Sequence, residues 1–280
     1  MIMIIDFHTH IFSPDIICRR EYFLSDAAFS LLYAENQSRM ADHSDLLLYM
    51  DENFIDHAVA MSFPWHTQKF CNLHNEYMAA TMKQHSGRVS CFGMVAVNSG
   101  RDQVKQQVRE IKSAGLAGIG ELGFYAEGFT PENAEFTRHV LEAAGTESLP
   151  VCLHINEPVG HMYSGKYQPR LDELYIILKE FRDVKVILSH WGGGLFVYEL
   201  MPEVKDSLKN VWYDTAATPY LYSPGIYDCS IAAAGAGKIL FGSDFPLLGI
   251  KRYTEALNKQ DAAVREMIMY SNAATILGLK

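Results

Sequence analysis

No two cysteines stand at C-x-x-C spacing. The five present (Cys18, Cys71, Cys91, Cys152, Cys229) are scattered and odd in number. That pattern argues against a disulfide framework or a thiolate zinc site, and it predicts reduced thiols in a cytoplasmic protein. No apolar run approaches the ~18 residues needed to cross a bilayer. Met1–Ile5 lacks a basic residue and is cut short by Asp6, so no secretory leader is expected. An excess of basic residues is missing too: Lys+Arg 24 against Asp+Glu 33 leaves a net charge of -9. A uniformly acidic chain repels phosphate backbones, so the expected partner is a small-molecule substrate, with neither nucleic acid nor membrane. The oligomeric state is left open, a homo-oligomer included. Internal repeats, low-complexity tracts and linker-like shifts are also absent. One domain over residues 1–280 is therefore expected, a length at which α/β barrels run as a single unit.

What is there is alternation. Short apolar runs predict strands at Met3–His8, His57–Ser62, Val89–Val95, Leu116–Glu121, Pro150–His154, Val184–His190, Val211–Thr215 and Lys238–Ser243. Helical patterns lie between them. In Arg101–Ala114, Val104, Val108 and Ile111 recur at helical spacing before Gly115; Pro131–Ala144 follows Thr130 as N-cap; Leu171–Phe181 is apolar along one side. Parallel neighbours need helical crossovers, so eight such units predict an α/β fold of the (β/α)8 barrel (TIM barrel) type. The stretch from Ile11 to Asp51 exceeds a simple connection and predicts extra helices in a long first loop over the barrel mouth. The Gly- and Pro-containing loop Asn156–Tyr167 predicts a second cover.

Strand pleating places Asp6, His8 and His10 on one face and Ile5, Phe7 and Thr9 on the other. If Ile5 and Phe7 pack outward on helices, Asp6, His8 and His10 point into the barrel. The two histidines then reach the C-terminal mouth, where active sites of this fold sit. Asp6 is expected below them as a buried hydrogen-bond partner. Other strand ends repeat the theme: Glu121, His154, His190 and Asp244 each close an apolar run. Imidazoles and carboxylates gathered at one mouth would cost several kcal/mol without a cation to neutralise and ligate them. A divalent metal is therefore expected.

His8-Thr9-His10, His154, Ser189-His190-Trp191-Gly192-Gly193 and Phe241-Gly242-Ser243-Asp244-Phe245-Pro246 resemble, in order, the metal-dependent amidohydrolase superfamily, in its amidohydrolase-2 (amidohydrolase-related) branch. The closing Asn272–Leu279 also resembles that branch. The resemblance spans the chain and implies an enzyme, but it does not choose among hydrolases, decarboxylases and hydratases. It implies His8, His10 and Asp244 on one metal, and His154 and His190 on a second with Glu121 bridging. With one metal only, His154 would join the first three and His190 would act on substrate. Glu121 would then be a carboxylate beside a single ion. Zn²⁺ suits nitrogen-rich donors, with Mn²⁺ admissible, at one or two ions per chain.

Because Glu121 occupies the bridging position, the leading expectation is a hydrolase. It would use metal-activated water on a small carbonyl substrate (amide, lactone or ester), with Asp244 and His190 catalytic. The alternative is a metal-dependent non-oxidative decarboxylase or hydratase of a small carboxylic acid. A TatD-type nuclease fits less well, given the negative charge. Trp65 and His66, after the second strand, are expected to line the pocket, with substrate contacts from His66 and from Glu157, His161, Tyr163 and Lys166 in the second loop.

Overall fold

All eight predicted strands form in the computed structural model, which describes residues 3–279; residues 1, 2 and 280, the ends of the predicted domain, lie outside it. They are β1 (Ile5–His10), β2 (His57–Met61), β3 (Val89–Gly93), β4 (Gly118–Leu122), β5 (Val151–Leu153), β6 (Val186–Leu188), β7 (Val211–Asp214) and β8 (Ile239–Leu240). Every neighbouring pair is parallel and the order is β1 to β8. The ring closes through backbone hydrogen bonds from Phe7 N–H to Phe241 (2.8 Å) and from Asp244 N–H to His8 (2.9 Å). This is a (β/α)8 barrel.

Helices cover its outside as the sequence periodicity requires. Arg101–Ser113 buries Val104, Val108 and Ile111, and Gly115 follows at φ +80. Pro131–Glu147 starts where Thr130 Oγ1 accepts the Asn133 N–H and runs three residues beyond the predicted end. The long first connection holds the expected extra helices: Pro14–Cys18, Arg20–Phe23 and Ala27–Tyr33 precede the barrel helix His43–Glu52. Trp65, expected near substrate, is instead fully buried and stacks on Phe29 at 4.9 Å, which anchors this connection. No described helix is long and apolar enough to cross a membrane.

The facing of β1 corrects the simple pleat. Ile5 and Phe7 turn into the barrel, clustering with Val59, Met61, Phe92, Cys152, Ile187 and Leu240. Asp6 turns outward, where its carboxylate accepts from Tyr49 of the helix His43–Glu52 (3.1 Å) and from the Ser243 N–H (2.8 Å). The cause is a shift of register between Asp6 and Thr9, where three residues of β1 span two of β2. A bulge of this kind re-aims side chains. Here it lets both His8 and His10 face the interior despite an outward Asp6. A matching shift in β4, between Ile119 and Leu122, brings Glu121 inward. The barrel floor is plugged by Ala273, Ala274 and Ile276 of the last helix, Asn272–Leu277.

Candidate metal centre

Six side chains from five strand ends meet above the apolar barrel core. His8 and His10 turn their Nε2 atoms to within 3.0 Å of each other, and Asp244 Oδ1 stands 3.8 and 3.5 Å from them. Across the mouth, His154 Nδ1 and His190 Nε2 are 3.2 Å apart. Glu121 lies between the two groups. Its Oε2 is 3.7 Å from both His8 and His10, while Oε1 is 3.0 Å from His154 and 3.6 Å from His190. The residues therefore fall into two trios: His8, His10 and Asp244, then Glu121, His154 and His190.

Local structure aims each group. The backbone of His190 and Asp244 is left-handed (φ 54 and 66), which turns each chain sharply off its strand. His190 Nδ1–H donates to the Ala216 carbonyl (3.0 Å), leaving Nε2 inward. The Asn156 carboxamide holds His154 Nε2 at 2.9 Å, which leaves Nδ1 inward. Gly242 lets β8 approach β1, since a Cβ there would lie 2.6 Å from His8 Cβ.

These donors fit a divalent cation. Ligand atoms about 2.0–2.2 Å from a tetrahedral ion stand about 3.2–3.6 Å from one another, close to the spacings in both trios. Charge tells the same story. Burial pushes Glu121 up, but His154 and His8 outweigh it and hold the carboxyl well below the usual range. Burial pulls His8 down, yet Asp214 and Glu121 hold it well above the ordinary histidine value. His190 is likewise raised, by Glu121, Asp244 and Asp214 against burial. His10 goes the other way, lowered by burial and by His8. Ionised carboxylates are drawing positive charge onto imidazoles, a demand that a bound cation meets more fully.

Above the donors opens a cavity of about 470 Å³. Both predicted covers build its wall. The first loop gives Leu32, Tyr33 and Arg39, and the second gives His161 and Tyr163. Phe63, Tyr125, Tyr220 and Leu247 make the rest of the wall largely apolar and aromatic. The remaining predicted contacts sit elsewhere. His66 pairs with Glu127 (3.4 Å) away from the cavity. Glu157 accepts from Tyr163 Oη (3.1 Å) beneath the loop, and Lys166 is tied to the carbonyls of Val159 (2.6 Å) and His161 (3.1 Å). They shape the loop and do not line the cavity.

Sequence reasoning missed Arg39, Tyr33 and Tyr125, and it missed Asp214. Arg39 and Tyr33 lie in a connection without periodicity. Asp214 had a signal: it ends a predicted apolar strand, just as Asp244 does.

The family model described as Amidohydrolase matches residues 5–279. Among solved structures, the chain resembles 5-carboxyvanillate decarboxylase from Sphingomonas paucimobilis, with a TM-score of 0.79, 15% identity and 100% of each chain covered. It also resembles 2,6-dihydroxybenzoate decarboxylase from Rhizobium (TM-score 0.73, 16% identity, 99% of each chain). A third is a dihydroxybenzoic acid decarboxylase from Polaromonas with bound manganese and the inhibitor 2-nitroresorcinol (TM-score 0.72, 16% identity, 99% of this chain and 97% of that one). At such identities the likeness is one of fold. No protein of curated function matches the chain by sequence.

Proposed function

The chain belongs to the amidohydrolase family, and from that premise we propose that it is a metal-dependent, non-oxidative decarboxylase of a small aromatic carboxylic acid. The observation that carries this reading is the cavity: aromatic and aliphatic walls, with the Arg39 guanidinium among its lining, over a floor of donors grouped to hold a metal. An apolar slot suits a planar ring, and a guanidinium suits a carboxylate. The named activities of the similar structures, on carboxyvanillate and dihydroxybenzoate, support the same substrate class.

His8, His10 and Asp244 would hold the first ion; Glu121, His154 and His190 are grouped to hold a second. Manganese, bound in one similar structure, is the first metal to load, and the zinc expected from the donor set is its comparison. A bound divalent ion would supply fixed positive charge that holds and orients the anionic oxygens of the substrate. The reaction itself asks for a proton. It is added to the ring carbon that bears the carboxylate; the bond to that carboxylate then breaks, its electrons return to the ring, and CO₂ leaves. Asp244 has two oxygens, so one can ligate while the other faces the substrate and carries the proton. With one ion bound, His190, whose Nδ1 is held by the Ala216 carbonyl, would turn its free Nε2 to the substrate and orient it. Tyr33, Phe63 and Tyr125 exclude water from the ring.

One observation favours a second reading. Glu121 turns one oxygen to each trio, the placement of a carboxylate bridging two ions, and this suits the hydrolase that the sequence put first. Product analysis separates the two. Manganese-loaded protein is offered a panel of hydroxylated benzoic acids, amides and lactones. CO₂ with the matching phenol is the expected outcome. Hydrolysis of an amide or lactone, with no CO₂ from any acid, would move the assignment to a hydrolase.

A further inference from the structure

β7 ends in a carboxylate that no step above uses. Asp214 is fully buried and its oxygens are occupied. Oδ2 lies 2.8 Å from His8 Nδ1, while Oδ1 accepts the N–H groups of His190 (3.0 Å) and Ala216 (3.0 Å). An ionised carboxylate only accepts, so His8 Nδ1 must carry the proton of that bond. When a cation replaces the second ring proton, the ring presents its lone pair from Nε2, the nitrogen that faces His10 and Glu121. Asp214 and His8 also stand close to Cys152, but 2.8 Å between oxygen and nitrogen is hydrogen-bond spacing with a proton between them. The second oxygen acts on the other trio. It pins His190, a non-glycine residue in the left-handed region (φ 54), a conformation that depends on surrounding support.

We propose that Asp214 is a positioning residue that fixes His8 as its Nδ1–H tautomer and locks the two donor trios in register, so that metal affinity depends on a side chain outside the donor trios. The proposal rests on the reading of His8, His10 and Asp244 as metal-binding. Partners of this kind orient ligands and typically change metal affinity by about 10–100-fold when replaced.

Asp214→Asn is the discriminating variant. The amide keeps the shape and one acceptor oxygen for the His190 and Ala216 N–H groups. Toward His8 Nδ1 it offers a donor, which drives the ring proton onto Nε2. Mn²⁺ affinity of the full chain, read by competition with a fluorescent chelator, should fall about 10–100-fold, while the metal-free variant still melts in one cooperative transition. Wild-type affinity in a cooperatively melting variant overturns the proposal. If the wild type itself takes up neither Mn²⁺ nor Zn²⁺, the metal reading fails first and the proposal falls with it. Should the variant not fold, ¹⁵N NMR of the zinc-loaded wild type decides: His8 must show a protonated Nδ1 and a ligating Nε2, and the reverse overturns the assignment.

Discussion

His74 sits beneath the first loop with both ring nitrogens engaged. Nε2–H donates to the Ile11 carbonyl (2.8 Å), one residue beyond His10, and Nδ1 accepts from Trp65 Nε1–H (3.0 Å) and Ser62 Oγ–H (3.2 Å). Burial, with a smaller push from His10, lowers its pKa from 6.5 to about 4 against the opposing Ile11 bond. Protonating Nδ1 would set two N–H groups against each other. The unfolded chain takes up a proton near 6.5 and the folded chain only near 4, so between these values the unfolded state binds more protons. Stability is complete above 6.5 and is lost as the pH falls toward 4. At about 1.36 kcal/mol per pH unit, the loss is about 2 kcal/mol at pH 5 and about 3 kcal/mol at pH 4. His74→Gln replaces the ring with a side chain that does not titrate. Urea unfolding at pH 7 and pH 5 should show the wild type losing about 2 kcal/mol more than the variant; the histidines and carboxylates at the barrel mouth titrate in both and cancel. Equal losses would refute the reasoning about this buried ring.

Three further outcomes follow from the site. Asp244→Asn keeps an oxygen ligand but lacks a basic carboxylate, so most metal should remain while turnover of a verified substrate falls roughly 10²–10⁴-fold; near-wild-type turnover with normal metal content would remove Asp244 as proton carrier. Gly242→Ala places a methyl 2.6 Å from His8 Cβ, forcing β1 and β8 apart by about 1 Å, beyond the ~0.5 Å that a ligating site tolerates. Metal retained after dialysis, measured by atomic absorption, should drop; unchanged retention would show that the strands absorb the methyl. Arg39→Ala removes the cation from the cavity wall, so KM for an acid substrate should rise about 10-fold or more, the worth of a charge-assisted hydrogen bond, with metal content unaltered. An unchanged KM would place the carboxylate elsewhere.

The barrel was legible because each strand is a short apolar run between helical patterns, and parallel pairing leaves few other architectures. Strand limits were less legible. Val184–His190 pairs only over Val186–Leu188, since Val184 packs in the core ahead of the ladder and the left-handed His190 turns the chain off the strand. The clustered residues of the candidate metal centre stood out by type, as His8, His10, Glu121, His154, His190 and Asp244 all interrupt apolar sequence. Their facing did not follow strict alternation, because the bulge in β1 is set by pairing with β2 and leaves no mark in β1 alone. Arg39 and Tyr33 reach the cavity through a connection whose path depends on tertiary packing around Trp65 and Phe29, which spacing does not encode. His66 illustrates the converse: adjacent to a strand end, yet turned away to Glu127.

The central claim is that His8, His10 and Asp244 hold a divalent ion at the barrel mouth. Anomalous diffraction at the manganese edge, from crystals of manganese-loaded protein never exposed to chelator, tests it directly. The account expects a peak within about 2.5 Å of the Nε2 atoms of both histidines and of an Asp244 oxygen, with any second peak beside Glu121, His154 and His190. A strand-end cluster with its side chains placed as described and no peak at His8 and His10 would contradict it.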